Sequence, residues 1–286
     1  MVGNIKCRKA FTKSVKPNSN PNTIYMLENS VPKSLSGHNN VNYKNKSGSF
    51  TFTDGYDYYI PEEIEVTSSV KYVRTFTESD AAKWSSMVIP FDVNTVKVDD
   101  TAIDWFHSAT DTNKAFWLEK ILSVGDDNVR LGYASSIKAN VPYLIANDGS
   151  LAGKQVVFSG GATTLKPTSS TPMHSMIGND KLLWTNRATQ MWNIYFASNF
   201  SNTFAYTADA IVVIPFRVYI DKANSSVTSL SIQGPDITDG IELIIEDSSI
   251  PTDIFSLTGV KVGNTSQKNQ LPAGVYVVNG KKVIIW

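Results

Sequence analysis

Short runs of β-branched and aromatic residues, separated by Gly, Pro, Asn and Asp, recur along most of the chain. Such runs between turn-forming residues are typical of β-sandwiches and barrels. Helical periodicity is almost absent, and its best candidate, residues 113–124, is equally compatible with a strand. The pattern therefore predicts an all-β protein. Strands are expected at residues 50–52, 56–60, 71–76, 87–91, 141–146, 155–158, 211–220 and 227–232.

Two of these runs contain the same four residues, Val-Ile-Pro-Phe, at 88–91 and 213–216. Proline has no backbone N–H for a sheet ladder, so each copy predicts the end or the edge of a strand. The two copies are interpreted either as equivalent strands of two facing sheets or as a coincidence of four residues.

Composition divides the chain into four segments. Residues 1–48 are rich in Asn, Ser and Lys and indicate edge strands or the remnant of upstream repeats. Residues 49–232 carry most of the aromatic and β-branched content, and they predict a large β-sandwich-like domain. Residues 233–249 mix turn formers and acids, as a linker does. Residues 250–286 regain a strand pattern and predict a small C-terminal Ig-like β-sandwich module of three or four strands.

The clearest local signal in that module is a β-hairpin near the chain end. The run Val-Tyr-Val-Val at 275–278 leads into Asn279-Gly280, and a second apolar run follows from Lys281. Asn-Gly adopts positive φ at both central positions of a tight turn, which matches the twist of the flanking strands. A second pair of strands is predicted around Thr258-Gly259. A unit this small has a thin core.

Charge and cysteine content exclude several classes of protein. Lys plus Arg (26) balance Asp plus Glu (26), so no net field favours nucleic acid or an anionic membrane surface. Charged residues make up only 18% of the chain, which suits an exported β-protein. The single cysteine, Cys7, cannot form an internal disulfide. The sequence contains no apolar run of the length of a membrane span and no signal peptide, so an exported form would start further upstream.

Motifs for catalysis or cofactor binding are absent from the sequence. His38, His107 and His174 stand alone, and neither a Gly-x-Ser-x-Gly elbow nor a phosphate-binding glycine loop occurs. No residue is predicted to be catalytic, and no cofactor or bound metal is predicted. Asp54 and Asp57 are the nearest approach to calcium ligands, against the commoner case of loop carboxylates on a solvated face.

Tyr56, Tyr58 and Tyr59 are the candidate ligand-binding residues, since exposed rings can stack on sugar faces. Core packing is the competing interpretation of these rings.

The C-terminal segment resembles the C-terminal sorting domain of type IX secretion cargo, found in surface proteins of Bacteroidetes-type bacteria. The stretches DIFSLTGVKV and LPAGVYVVNGKKVIIW carry the resemblance, whereas Trp286 departs from the basic or small polar last residue of the family. The resemblance implies that this module acts in export and surface attachment. It assigns the sorting motif to Thr258, Gly259, Leu271, Pro272, Gly274, Tyr276, Asn279, Gly280 and Lys281.

The rest of the chain is similar to a region that precedes this module in Bacteroides and Prevotella-like surface proteins, often after leucine-rich or other repeats. The similar blocks are TDGYDYYIP (53–61), KYVRTFT (71–77), KWSSMVIPFDV (83–93), ANVPYLIA (139–146) and IPFRVYI (214–220). The resemblance assigns no activity to these regions.

Together these features predict a non-catalytic structural or adhesive protein, located extracellularly or at the cell surface after export. Its expected partner is the sorting machinery of the outer membrane, with a glycan or a host surface protein as a further partner. Two alternatives remain open at this point. One is a carbohydrate-binding accessory module, and the other is a glycoside hydrolase or peptidase whose site the sequence does not reveal.

Overall fold

The structure is a computed structural model. It describes residues 5–7, 17–28, 30–80, 83–168, 172–197, 202–223, 226–235, 241–242, 253–256, 259–264, 267, 270–272, 274–278 and 281–285. The chain divides into two compact units, Met1–Ile232 and Gln233–Trp286. No helix in the described part of the chain is long and apolar enough to cross a membrane.

The described residues of the first unit form strands and two short 3-10 turns, at Lys33–Leu35 and Glu78–Asp80. Its first eleven strands are β1 (Ile5–Cys7), β2 (Tyr25–Leu27), β3 (Val41–Tyr43), β4 (Lys46–Thr53), β5 (Ile64–Thr75), β6 (Ser85–Met87), β7 (Thr95–Val98), β8 (Thr101–Ile103), β9 (Trp105–Phe106), β10 (Phe116–Val124) and β11 (Asn128–Tyr133). The remaining strands are β12 (Tyr143–Ala146), β13 (Gln155–Gly160), β14 (Thr163–Leu165), β15 (Met173–Ile177), β16 (Asp180–Trp184), β17 (Thr189–Met191), β18 (Ile194–Ala197), β19 (Thr203–Thr207), β20 (Ile211–Val213), β21 (Val218–Asp221) and β22 (Ser229–Gln233).

Two large mixed sheets organise this unit. The first has the order β1-β2-β3-β4-β5-β13-β7-β8, with β14 also pairing β5. The second has the order β15-β16-β21-β18-β19-β22-β11-β10-β12-β6, with β9 also pairing β10. Strands β17 and β20 pair separately. The predicted all-β, sandwich-like class is therefore confirmed.

The main core combines side chains from both large sheets. Phe52 of β4 and Tyr72 of β5 lie in one buried cluster with Phe116 of β10 and Tyr143 of β12. On β5 the buried positions alternate with exposed ones, as period-2 geometry requires when one face of a strand is buried. A second cluster, which includes Leu144, lies among strands of the second sheet.

The segment with the best helical pattern is strand β10. It pairs with β11 on one side and β12 on the other, so both of its backbone edges are used. Phe116 and Leu118 enter the main core, whereas Ile121 enters the second cluster. Burial of both faces explains the nearly continuous apolar run that resembled a helix.

Residues 56–60, predicted as a strand, have no regular structure. Gly55 has a φ of +75°, and the following residues bond to the backbone and side chain of Asn186 and to the side chain of Thr168 instead of joining a ladder. Tyr58 N–H donates to the Asn186 carbonyl oxygen at 2.8 Å, and the Asn186 amide donates to the Tyr58 carbonyl oxygen at 2.8 Å. Ile60 N–H donates to the Thr168 hydroxyl at 2.9 Å.

The two Val-Ile-Pro-Phe segments lie against each other. Val88 N–H donates to the carbonyl oxygen of Phe216 at 3.1 Å. Strands β6 and β20 both end shortly before their prolines, and Phe216 has a φ of +65°. The predicted single strand at 211–220 is thus two strands, β20 and β21, because the proline segment interrupts the ladder.

Residues near the N-terminus extend the first sheet. Strands β1, β2 and β3 are parallel neighbours, and β4 pairs with β5 in parallel along its length. Two buried asparagines complete the other edge of β4. The Asn40 carboxamide exchanges hydrogen bonds with the N–H and C=O of Thr51 at 2.7 and 2.8 Å. Asn22 does the same for Thr53 at 2.6 and 2.9 Å.

The second unit contains strands β23 (Ile241–Glu242), β24 (Asp253–Ser256), β25 (Lys261–Asn264), β26 (Gly274–Val278) and β27 (Lys281–Ile285). They form one sheet in the order β23-β27-β26-β24-β25. The described strands are thus a single five-stranded sheet rather than the predicted three- or four-stranded sandwich. The fifth strand is β23, from within the predicted linker, which pairs with β27 in parallel.

Candidate functional site

A largely buried cluster of charged side chains lies where the two large sheets of the first unit meet. Asp54 follows β4 and is held by a hydrogen bond from its N–H to the Val73 carbonyl oxygen at 2.9 Å. Arg217 precedes β21 and donates from both terminal nitrogens to the two Asp54 carboxylate oxygens, at 2.6 Å each. The Tyr72 hydroxyl also donates to Asp54 at 2.6 Å. We call these residues, with Arg74, the charged cluster.

Arg74 continues the buried face of β5 and is the most enclosed of the three charged members, with 4% of its side chain exposed. Its Nε lies 3.7 Å from Asp54 Oδ2, and its terminal nitrogens donate to the Ser85 hydroxyl at 2.7 Å and the Ser86 carbonyl oxygen at 3.3 Å. The guanidinium also lies over the ring of Phe76 at 4.7 Å. Arg74 therefore joins β5 to β6.

The electrostatics of the cluster are dominated by the arginines. Burial alone would raise the pKa of Asp54, but Arg217 and Arg74 together lower it to about 2. Burial and the neighbouring Arg217 both lower the pKa of Arg74, while Asp54 raises it. Burial and the Asp54 charge raise the pKa of Tyr72, so its hydroxyl stays protonated and acts as a donor. Two guanidinium groups thus share one close carboxylate.

A cavity of about 320 Å³ lies beside this cluster, and we call it the Arg217 cavity. Its polar wall includes Ser85, Ser86 and Arg217, and its apolar wall includes Phe196, Ile211 and Ile214. Val212 of β20 also lines it and is 67% exposed, which places this side chain at the opening. The arrangement combines a cationic end with an apolar wall, as small-molecule sites commonly do.

The aromatic candidates are divided by the fold. Tyr58 is 3% exposed and stacks on Phe216 with ring centroids 4.9 Å apart. Tyr56 and Tyr59 are exposed, at 48% and 40%. The grouping of three rings is therefore corrected, because Tyr58 belongs to the core and offers no surface to a ligand.

The calcium candidates are also assigned other roles. Both carboxylate oxygens of Asp54 accept hydrogen bonds from Arg217. The positive charges of Arg217 and Arg74 also disfavour a bound cation at Asp54. Asp57 accepts the Ala188 N–H at 2.7 Å and holds a loop. Across the described ranges, no group of three or more His, Cys, Asp or Glu side chains has a geometry suited to a metal ion.

The residues of the predicted sorting motif lie in the second unit. Gly259 has a φ of +83°, and its N–H donates to the Ser256 carbonyl oxygen at 2.9 Å, which closes the turn between β24 and β25. Leu271 and Tyr276 pack on a small core of Ile254 and Val278.

Other residues of that motif shape the end of the unit. The Tyr276 hydroxyl donates to the Pro272 carbonyl oxygen at 2.7 Å. Gly274 pairs with Ile285, and Lys281 pairs with Val278 across β26 and β27. Thr258, Asn279 and Gly280 lie outside the described residues.

The charged cluster was not predicted from the sequence. Asp54 and Arg217 are 163 residues apart, so no local spacing connects them. A usable signal does exist, because Arg74 and Arg217 each interrupt an apolar β-run, in KYVRTFT and IPFRVYI. A charged residue at a core-facing position requires a buried partner, which marks both arginines for attention.

No protein-family model matches this chain, and neither the curated proteins nor the solved structures include a match to it.

Proposed function

We propose that this chain is a non-catalytic protein of the bacterial cell surface or extracellular space, whose C-terminal unit acts in export and surface attachment. The observation that carries the proposal is that every described residue of the sorting-like motif falls in one compact unit, Gln233–Trp286. A separate unit suits an address, because a secretion machinery can read it independently of the protein it carries.

The sheet edge of this unit is a surface that a secretion machinery could bind. Strand β25 is at one end of the sheet order, so one of its backbone edges has no neighbouring strand among the described residues. Val260 and Val262, beside and within β25, are 61% and 38% exposed. An edge strand with exposed apolar side chains is suited to pairing with a strand of another protein.

The first unit would be the displayed part, with a structural or adhesive role. Its large shared core and the buried charged cluster favour a rigid platform. In this proposal the partners are the outer-membrane sorting machinery at the C-terminal unit and a glycan or a host surface protein at the first unit.

The test is surface display in a host with type IX secretion, with each form expressed behind the same secretion leader. The full chain is compared with a form truncated after Ile232, the boundary between the two units. We expect the full chain to reach the surface, measured by antibody labelling of intact cells, and the truncated form to remain inside. Equal labelling of both forms would remove the basis for the proposal.

A point-variant arm separates recognition from folding. V260K places a charge beside the free edge of β25, and V212K places one on a similarly exposed valine of the first unit. We expect V260K to lower display at least several-fold and V212K to leave it unchanged. Equal display of the two variants would exclude the β25 edge as the surface that is read.

A second candidate function, glycan binding, is favoured by the exposed rings of Tyr56 and Tyr59. Aromatic rings stack on the apolar faces of sugars. Here Y56A should abolish retention on a glycan array, while Y43A, a substitution at the half-buried ring of β3, should not. Absence of retention by the unsubstituted protein would dispose of this candidate.

A further inference from the structure

The Arg217 cavity has the shape of a small binding site. At about 320 Å³ it lies at the lower end of the range found for ligand pockets. Arg217 lines the polar part of the cavity, with 18% of its side chain exposed. Phe196, Ile211 and Ile214 line the apolar part. A ligand that fills it would need one polar end and one apolar body.

The charge at the polar end is unbalanced. Arg74 and Arg217 carry two positive charges, and Asp54 supplies one negative charge at close range. The next acid, Asp80, acts on Arg74 more weakly than Asp54 does, and its Oδ2 accepts hydrogen bonds from the N–H and the hydroxyl of Thr77 at 2.6 and 2.7 Å. One positive charge is left without a close counterion in a poorly hydrated place, which favours uptake of an anion.

Hydrogen-bond donors are available to receive that anion. Arg217 uses two of its five N–H donors on Asp54 and also hydrogen-bonds with Tyr72, which leaves N–H donors for an anion. Ser85 lines the cavity, and its hydroxyl accepts from Arg74 and donates to the Ile145 carbonyl oxygen at 3.3 Å, so it brings the charge of Arg74 close to the cavity but leaves the donation to Arg217. A planar carboxylate matches the fork geometry of a guanidinium.

We propose that the Arg217 cavity binds a small organic monocarboxylate with an apolar body, such as a short-chain fatty acid. A single surplus charge matches a monoanion, and the apolar wall disfavours a strongly hydrated dianion such as phosphate. The carboxylate lies against Arg217 near Ser85, and the hydrocarbon part lies against Phe196 and Ile211. This proposal assigns a ligand to the first unit and does not depend on how the protein is exported.

The first experiment compares two ligands of equal size on the purified full chain. Hexanoate and hexanamide are titrated separately, and binding is followed by NMR chemical shifts of the Ile and Val methyl groups. We expect saturable shifts at Ile211, Val212 and Ile214 with hexanoate, and affinity for hexanamide about tenfold lower, which corresponds to about 1.4 kcal/mol. Equal affinity for both ligands, or no saturable shift with either, would overturn the proposal.

The second experiment changes the charge at the cavity opening without touching the buried ion pair. Val212 is 67% exposed, so V212E and V212Q are both expected to fold as the unsubstituted protein does. Because a glutamate at the opening repels a carboxylate, V212E should weaken hexanoate binding about five- to tenfold, while V212Q should weaken it less than about twofold.

Equal effects of the two substitutions would show that charge plays no part and would refute the anion site. Loss of surface display on truncation after Ile232 has no bearing on either binding experiment, so failure of one proposal is distinguishable from failure of the other.

Discussion

Asp54 and Arg217 lie 163 residues apart in the chain and form a bidentate ion pair with N···O distances of 2.6 Å. The pair ties the end of β4, in the first large sheet, to the start of β21, in the second. Its carboxylate also accepts the Tyr72 hydroxyl and lies beside Arg74. Removal of any one member would leave a charged or polar partner buried without compensation.

Replacement of Arg217 by methionine should destabilise the protein strongly. R217M leaves Asp54 largely buried with two of its three donors at 2.6 Å gone, and loss of one partner of a buried pair costs about 3 kcal/mol or more. K181M is the control, because the exposed pair of Lys181 and Asp221 should contribute less than about 1 kcal/mol. Urea unfolding measures both free energies. Similar values for the two variants would contradict a structural role for Arg217.

Acid should weaken the fold through Asp54. Its pKa of about 2 in the folded protein lies below the ordinary value of 3.8, so its stabilising contribution is present above pH 3.8 and is lost as the pH falls through 2. The loss should amount to about 2 kcal/mol, at about 1.4 kcal/mol per pKa unit. The test compares the unfolding free energies of the unsubstituted protein and D54N between pH 2 and pH 5. Their difference should shrink as the pH falls, and a constant difference would contradict the assignment.

A buried glutamate should weaken the fold as the pH rises from 4.5 to about 8. Glu119 of β10 is 1% exposed, its Oε2 has no hydrogen-bond partner in the described structure, and burial raises its pKa to about 8. The folded protein therefore holds this proton more tightly than the unfolded chain, whose value is 4.5. Stability should fall by about 5 kcal/mol as the pH rises from 4.5 through 8, at about 1.4 kcal/mol per pKa unit.

E119Q supplies the comparison, since it keeps the shape of Glu119 without a titrating proton. Relative to the unsubstituted protein, its stability should increase as the pH rises from 4.5 to about 8 and should then stay constant, measured by thermal unfolding across the pH series. A parallel pH profile for the two proteins would show that Glu119 is not the titrating group.

The edge of β4 should depend on Asn40. N40A removes both partners of the Thr51 peptide groups, and unsatisfied buried backbone groups cost about 1 to 3 kcal/mol each. We expect a loss of about 2 to 4 kcal/mol by urea unfolding. N39A, at the exposed neighbouring position, should change the stability by less than about 0.5 kcal/mol. Comparable losses in the two variants would indicate that the carboxamide of Asn40 is not needed.

Local sequence pattern was sufficient for several features of this protein. Short β-branched and aromatic runs between turn formers predicted the all-β class, because alternation and turn chemistry act over a few residues. Most predicted strands were found within a few residues of their expected positions, including those around Phe50, Val156 and Leu230. The pairing of β26 with β27, in which Val278 faces Lys281, agrees with a turn at the two residues between them.

Contacts between distant segments were decided by the tertiary structure alone. The charged cluster joins residues from three parts of the chain, and Tyr58 is buried because Phe52 and Phe216 surround its ring. Most of segment 113–124 is a strand, Phe116–Val124, because β11 and β12 pair with both of its edges. In each case the deciding free energy comes from burial and pairing with remote residues, which a local pattern of hydrophobic and polar positions does not contain.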